Sequence, residues 1–201
     1  PPRSTLFPYT TLFRSRTVLL ATWTKTKKEL LPLRKEAFEM LYLLKPEHQL
    51  AIHWGMVAAV YPFFGDVVTI TGRLIHLQGN VSELEICRRI KELYGERQTI
   101  PTAVHRIIKT LQKWGILVNE KQGIYKFSKC INIEEKKVII WLMKVFLYTQ
   151  NYPAKSIREI VQHHIFFPFK FTNITTKDLS HCMELEIQQT LEEEIILLKR
   201  S

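Results

Sequence analysis

Apolar residues recur at helical spacing in the first part of the chain and predict three consecutive helices. The first covers residues 33–44, and Pro46 and Pro62 separate two more, over residues 47–61 and 65–78. The apolar face of the first helix consists of Leu33, Ala37, Met40, Leu41 and Leu44. A polar lead-in over residues 22–28 precedes it. The later two helices are apolar on nearly all sides, so we expect them either to lie between neighbouring elements or to form a dimer interface.

The pattern over residues 80–129 predicts two helices followed by a β-hairpin. Ser82 and Glu85 have the spacing of a capping box, so a helix should run from about residue 83 to residue 94, where Gly95 favours its end. After a turn over residues 96–99, a second helix opens near Pro101 and ends in Trp114-Gly115. Its apolar face consists of Val104, Ile107, Ile108 and Leu111. Two β-prone runs, 116–118 and 124–127, flank the polar turn 119–123 and predict the hairpin.

The last part of the chain predicts a mixed α and β segment that packs against the rest. Helical spacing covers residues 133–150, residues 151–153 end it, and it resumes over residues 156–165 before the Phe-Phe-Pro-Phe sequence at 166–169. Partial alternation over residues 183–200 predicts a second hairpin. The fold class expected for the whole chain is mainly α with small β-hairpins.

The first 15 residues stand apart from this pattern. The sequence PPRSTLFPYTTLFRS resembles an in-frame translation of a common short-read sequencing adapter at all 15 codons, so residues 1–15 are set aside before any reasoning about the fold. The rest divides into an N-terminal helical scaffold over residues 16–64, a central unit over residues 65–129, and the C-terminal segment over residues 130–201.

Charge and cysteine usage narrow the classes of partner. Without Arg3 and Arg14 the chain has 27 Lys and Arg against 19 Asp and Glu, a net charge of +8, which favours polyanionic partners. The three cysteines are far apart and form no C-x-x-C pair, a pattern typical of the reducing cytoplasm. The apolar stretch 49–78 is interrupted by His53, Pro62, Asp66 and Arg73, so we expect that it does not span a bilayer. Because the cations are concentrated in the central unit, we expect nucleic acid rather than a membrane as the polyanionic partner.

The order of elements over residues 65–129 resembles the winged helix-turn-helix superfamily: three helices, a tight turn, and a Trp-Gly-Ile-Leu junction into a hairpin. Small winged-helix proteins of prokaryotic gene clusters, including those of phage defence, are similar in size and layout. The resemblance implies that the third helix enters the major groove of DNA and that the hairpin, or wing, contacts the adjacent backbone or minor groove.

The resemblance assigns DNA contacts to polar and basic residues of this unit. On the third helix, opposite its apolar face, they are Thr102, His105, Arg106, Lys109, Gln112 and Lys113. The wing would contribute Lys121, Gln122 and Lys126, and the turn between the two helices would contribute Arg97. The alternatives for the helix are an ordinary solvated face or a winged helix that binds protein.

The sequence predicts no catalytic, cofactor or metal site. His163 and His164 are adjacent and cannot point the same way on a helix, with Glu159 as the one carboxylate at a useful spacing. No phosphate-binding glycine loop or G-x-S-x-G motif occurs. The leading hypothesis is a non-catalytic protein that binds double-stranded DNA, as a regulator or as the DNA-engaging subunit of a prokaryotic assembly. The alternative is an adaptor without direct DNA contact, whose winged helix and apolar N-terminal helices bind a protein partner or a second copy.

Overall fold

In the computed structural model, residues 15–150, 154–180, 182–189 and 194–199 are described, and helices dominate them. The helices are α1 Ser15–Thr24, α2 Leu31–Leu41, α3 Pro46–Val60, α4 Pro62–Gln78, α5 Glu83–Tyr94, α6 Ile100–Lys113, α7 Lys136–Gln150, α8 Ile157–Val161 and α9 Thr176–Leu179, with 3-10 helices at Lys28–Leu30 and His164–Phe166. The strands are β1 Asn80–Ser82, β2 Leu117–Lys121, β3 Ile124–Phe127, β4 Ile131–Ile133, β5 Ala154–Ser156, β6 Phe169–Phe171, β7 Leu185–Gln189 and β8 Glu194–Leu198. The mainly α class with small hairpins is confirmed. Apart from Ser15, the adapter-like segment 1–15 lies outside the described residues.

Helix α3 lies at the centre of the core. Its side chains Ile52, Trp54 and Met56 are fully buried, and it packs against α4, α7, α1 and α2. The indole of Trp54 donates a hydrogen bond of 2.9 Å to the carbonyl of Ile165, which ties the helix to the C-terminal segment. The apolar residues of α3 therefore lie between neighbouring elements, which was one of the two alternatives expected from the sequence.

The central unit combines α4, α5 and α6 with a three-stranded antiparallel sheet in the order β1-β3-β2. The sequence analysis did not predict β1, which connects α4 to α5 and aligns Val81 with Tyr125 of β3. Helix α4 ends where Gly79 adopts a positive φ of 78°, and the chain then enters the strand. Val81 is fully buried, so β1 contributes to the core as well as to the sheet.

Two helix predictions in the C-terminal segment were wrong at their boundaries. Ile133 belongs to β4, which pairs in parallel with β6 and aligns Ile133 with Phe171, so α7 begins three residues later than expected. The predicted helix over 156–165 shortens to α8, because Ser156 and Glu159 form a capping box that starts it and the chain leaves the helix after Val161. Residues 151–153, expected to end the preceding helix, lie outside the described residues.

The second predicted hairpin is confirmed in the strands that the structure describes. Strands β7 and β8 pair antiparallel and align Ile187 with Ile196, although residues 190–193 between them lie outside the described residues. The sequence analysis did not predict that β5 adds a third strand, giving the order β5-β8-β7.

Two further differences from the sequence analysis concern the end of α1 and the start of α5. Residues 22–24, assigned to a polar lead-in, belong to α1, and Thr22 is fully buried. The capping box expected at Ser82 is not formed, because the Ser82 side chain makes no cap hydrogen bond and Glu85 lies 4.0 Å from Arg88 and 3.8 Å from Arg89 instead. The helix nevertheless starts at residue 83 as predicted.

Within the described residues, no single helix is both long enough and apolar enough to cross a membrane. His48–Val60 and Pro62–Gln78 would qualify only as a pair, and the chain bends by 120° between them.

Candidate nucleic-acid interface

Helix α6 separates its apolar and polar side chains onto opposite faces. Val104, Ile107 and Leu111 are fully buried against the central unit, as the spacing of these residues predicted. The opposite face carries the six helix residues assigned to DNA from the sequence. Thr102, His105, Lys109 and Lys113 are exposed, whereas Arg106 and Gln112 are partly buried. The structure thus leaves a polar, basic face accessible along the whole helix.

The polar residues of this face differ in the contacts that their side chains make within the protein. Lys109 and Lys113 form no ion pair within the part of the chain that the structure describes. Gln112 turns toward the hairpin, where its amide donates a hydrogen bond of 2.7 Å to the Asn119 side chain. The two lysines are therefore available to a polyanion, whereas Gln112 also fixes the hairpin to the helix.

His105 belongs to a hydrogen-bond network that the sequence analysis missed. Its Nδ1 atom lies 3.0 and 3.2 Å from the two carboxylate oxygens of Glu83, and the hydroxyl of Tyr125 donates a bond of 2.9 Å to the same carboxylate. The network joins the first residue of α5, the middle of α6 and strand β3. No local sequence signal links these residues, because they meet only when the two helices and the sheet pack together.

The Tyr125 phenol is held in its neutral form by this environment. Burial, together with the hydrogen bond and the negative charge of Glu83, raises the pKa of Tyr125 to about 12. The phenol therefore stays a donor, and the carboxylate of Glu83 accepts from both Tyr125 and His105. Glu83 is thereby fixed next to the basic face of α6.

A cleft of about 630 Å³ lies between the start of α5, one side of α6 and the hairpin. His105, Lys109 and Gln122 line it together with Glu83 and Tyr125, so three residues assigned to DNA from the sequence share one concave surface. Cys87 also lines it, but burial and the nearby Glu83 carboxylate raise the pKa of its thiol. The protonated thiol is a poor nucleophile.

The hairpin is tighter than the sequence pattern indicated. Strand β2 continues to Lys121, so the turn between the strands shortens to Gln122 and Gly123, and Gly123 has a φ of 73°. The backbone amide of Glu83 donates a bond of 3.0 Å to the carbonyl of Gly123. The tip of the hairpin therefore lies against the start of α5, with Lys121 and Gln122 exposed there.

Of the ten residues assigned to DNA, three line the cleft, namely His105, Lys109 and Gln122. Among the other seven, Lys126 and Arg97 lie off α6 and away from the hairpin tip. Lys126 is aligned with Asn80 and Val118 and, because side chains alternate along a strand, occupies the face of the sheet opposite that of buried Tyr125. Arg97 is exposed in the turn between α5 and α6, and its Nε donates a bond of 3.1 Å to the Tyr94 carbonyl. Neither residue lines the cleft.

The segment 65–129 is strongly basic, since it has 11 Lys and Arg residues against 6 Asp and Glu residues. Part of this charge is balanced on α5, where Glu85 lies near Arg88 and Arg89 and where Lys91 lies 2.7 Å from Glu96. The positive charge that remains accessible is consequently concentrated on α6 and the hairpin rather than on α5.

Metal ligands do not cluster in the described residues: no group of three His, Cys, Asp or Glu side chains could hold a metal ion there. The sequence analysis placed His163 and His164 on one helix, but His163 precedes the 3-10 helix that His164 begins. Burial lowers the pKa of His163, whose ring packs 4.8 Å from that of Phe146 between centroids. His163 is partly buried, and its Nδ1 accepts a hydrogen bond of 3.2 Å from the backbone amide of Ile165.

No protein-family model, no curated protein and no solved structure matches the chain.

Proposed function

We propose that residues 65–129 form a winged helix-turn-helix that binds double-stranded DNA without catalysing a reaction, and that α6 is the helix that enters the major groove. The order α4, β1, α5, α6, β2, β3 and the sheet order β1-β3-β2 support the proposal, because they place a hairpin directly after an amphipathic helix. In a prokaryotic cell such a protein would act as a regulator or as the DNA-engaging subunit of a larger assembly.

The observation that carries the proposal is the exposed basic face of α6. Lys109 and Lys113 lie one helical turn apart, are exposed, and form no ion pair in the described part of the chain. When such lysines neutralise phosphate groups, the counterions condensed on the duplex are released, which favours binding. Arg106, on the same face, suits a guanine edge, which a guanidinium can bind through two hydrogen bonds.

The short hairpin limits what the wing contributes. Its tip is bonded to the start of α5, so Lys121 can reach only phosphates close to the helix. Lys126, on the outer face of the sheet, is a weaker candidate for contact than Lys121. The proposed footprint is therefore centred on α6.

Titration of duplex DNA at several salt concentrations tests the proposal. The wild type should bind, with an affinity that falls steeply with salt. Replacing Lys109 and Lys113 together by alanine should reduce the slope of log K against log salt by about 1.8, or about 0.9 for each phosphate that is no longer neutralised. Lys137→Ala is the matched control, because Lys137 is an exposed lysine of α7 without an ion pair in the described residues. Absence of binding by the wild type at about 50 mM salt would contradict the proposal.

A second candidate function is that of an adaptor, and exposed apolar residues at α2 favour it. Phe38 lies on the helix, and Tyr42 and Leu43 follow it, with Tyr42 91% exposed. Large exposed apolar groups of this kind occur at protein interfaces. If two copies associate there, sedimentation should show a dimer for the wild type and a monomer for Leu43→Glu, whereas a monomeric wild type would argue against association through this surface.

A further inference from the structure

We infer that Glu83 is a specificity residue of the proposed DNA interface, and that its fixed carboxylate accepts a hydrogen bond from the exocyclic amino group of a cytosine in the major groove. This inference rests on the proposed function. It assigns to the interface an acidic residue that lies among its cations, although an acid would weaken contact with a phosphate.

The first argument is the way in which the structure holds the carboxylate. The Tyr125 hydroxyl and the His105 Nδ1 atom both contact it, at 2.9 and 3.0 Å, and the backbone amide of Glu83 is bonded to Gly123. The side chain therefore keeps one orientation and loses little conformational freedom on binding. The phenol and the imidazole occupy some of the carboxylate lone pairs, and a carboxylate has about four acceptor sites.

The second argument is accessibility. The Glu83 side chain is 21% exposed and lines the cleft beside Lys109 and Gln122. Of the acids in the first turn of α5, Glu85 is directed instead toward Arg88 and Arg89 and does not line the cleft. Glu83 is thus the acid of this turn that a duplex seated on α6 would approach.

The third argument is the chemistry of the duplex surface. A phosphate placed against a fixed carboxylate would be repelled, and this repulsion penalises any docking that brings the DNA backbone to the cleft. The compatible surface is the floor of the major groove, which presents amino groups. Cytosine presents its N4 amino donor alone, whereas adenine places its N7 acceptor beside its amino donor. A residue that only accepts hydrogen bonds therefore favours cytosine.

The first experiment selects preferred sites from a library of random duplexes with the full chain. The wild type should enrich a site that contains a cytosine at one defined position, and Glu83→Gln should lose a preference of roughly 5- to 150-fold at that position. Because the variant also loses a negative charge, its affinity for unrelated duplexes should rise. Glu85→Gln is the matched control, since it removes the same charge from the same helical turn and should retain the preference.

The second experiment uses a DNA analogue, so its measurement on the wild type does not depend on the folding of any variant. Replacing the selected cytosine by 2-pyrimidinone, which lacks the amino group, should weaken binding of the wild type by a similar factor. In a double-mutant cycle, the analogue should have little further effect on Glu83→Gln. Tyr125→Phe, which leaves the carboxylate in place but less fixed, should lose only part of the preference.

The outcomes separate the inference from the function on which it rests. If the wild type binds duplex DNA but Glu83→Gln keeps the same preference, or if the selected site contains no cytosine, Glu83 only fastens α5 to α6 and the hairpin, and the inference is wrong while the function stands. If the wild type binds no duplex, the proposed function and the inference both fail.

Discussion

Gly55 of α3 and Trp141 of α7 approach each other so closely that a Cβ atom built on the glycine would lie 2.5 Å from Cζ3 of the indole. The indole cannot easily retreat, because Trp141 is buried and its Nε1 donates a hydrogen bond of 2.9 Å to the Leu33 carbonyl. Three helices, α2, α3 and α7, are thus fixed around one residue without a side chain.

Gly55→Ala should therefore destabilise the protein, although alanine favours a helix over glycine by about 0.5–1 kcal/mol. Overpacking of a core typically costs about 1–3 kcal/mol, so the free energy of unfolding should fall. Gly65→Ala is the matched control, because the new methyl group would meet Ile165 at an ordinary 3.5 Å. Denaturant unfolding of both variants checks this, and equal stabilities would contradict the packing described.

The orientation of α6 predicts opposite results at two neighbouring positions. Leu111→Ala should lower the free energy of unfolding by about 2–5 kcal/mol, the usual range for a buried leucine, because Leu111 is fully buried. Lys109→Ala should leave stability nearly unchanged and weaken DNA binding instead. Thermal unfolding and DNA titration of both variants distinguish the faces, and a reversed pattern would show that the basic face is the buried one.

The network around Glu83 predicts a loss of stability at alkaline pH. The pKa of Tyr125 is raised from 10.0 to about 12 in the folded chain, so the unfolded chain loses this proton first as the pH rises. The stabilisation is fully present below pH 10.0 and is lost as the pH approaches about 12.

Between pH 10.0 and about 12, the difference in the free energy of unfolding between the wild type and Tyr125→Phe should become smaller. Denaturant unfolding at a series of pH values measures it. Tyr42→Phe serves as the control, because Tyr42 is 91% exposed and lies outside the network around Glu83. A gap between wild type and Tyr125→Phe that does not change with pH would contradict the hydrogen bond to Glu83.

The ion pairs of Lys144 with two carboxylates should contribute to the stability of the folded protein. The buried ammonium of α7 lies 2.6 Å from Glu36 and also contacts Glu184, so it joins α2 to the residues just before β7. Lys144→Met should lower the free energy of unfolding by about 1–3 kcal/mol, less than the ~3–5 kcal/mol for a fully buried pair, because both carboxylates remain partly hydrated.

Adding Glu36→Gln and Glu184→Gln to Lys144→Met should recover most of that loss, since no uncompensated charge then remains. Unfolding of the single and triple variants checks this. If the triple variant were less stable than the single variant, the ion pairs would not be the source of the effect.

The sequence by itself determined the elements whose signals are local. The end of α5 followed from Gly95, and the extent of α6 followed from Pro101 and its apolar face, because caps, prolines and a period of 3.6 residues act within one element. The start of α5 also fell at the predicted residue, although the Ser82–Glu85 capping box that predicted it does not form. The hairpin of β2 and β3 was predicted for the same reason, since a glycine turn and two β-prone runs lie next to each other in the chain. The exposed basic face of α6 followed directly from that period.

The tertiary structure alone decided the short strands and the interactions at the candidate site. Strands β1, β4 and β6 have three residues each, too few to show a period, and they form because distant partners supply their hydrogen bonds. Glu83 joins His105 and Tyr125 across separations of 22 and 42 residues, and no local pattern encodes such a contact. The sequence therefore predicted which face of α6 is exposed, whereas packing placed an acid beside it, because a side chain's neighbours depend on how whole elements meet.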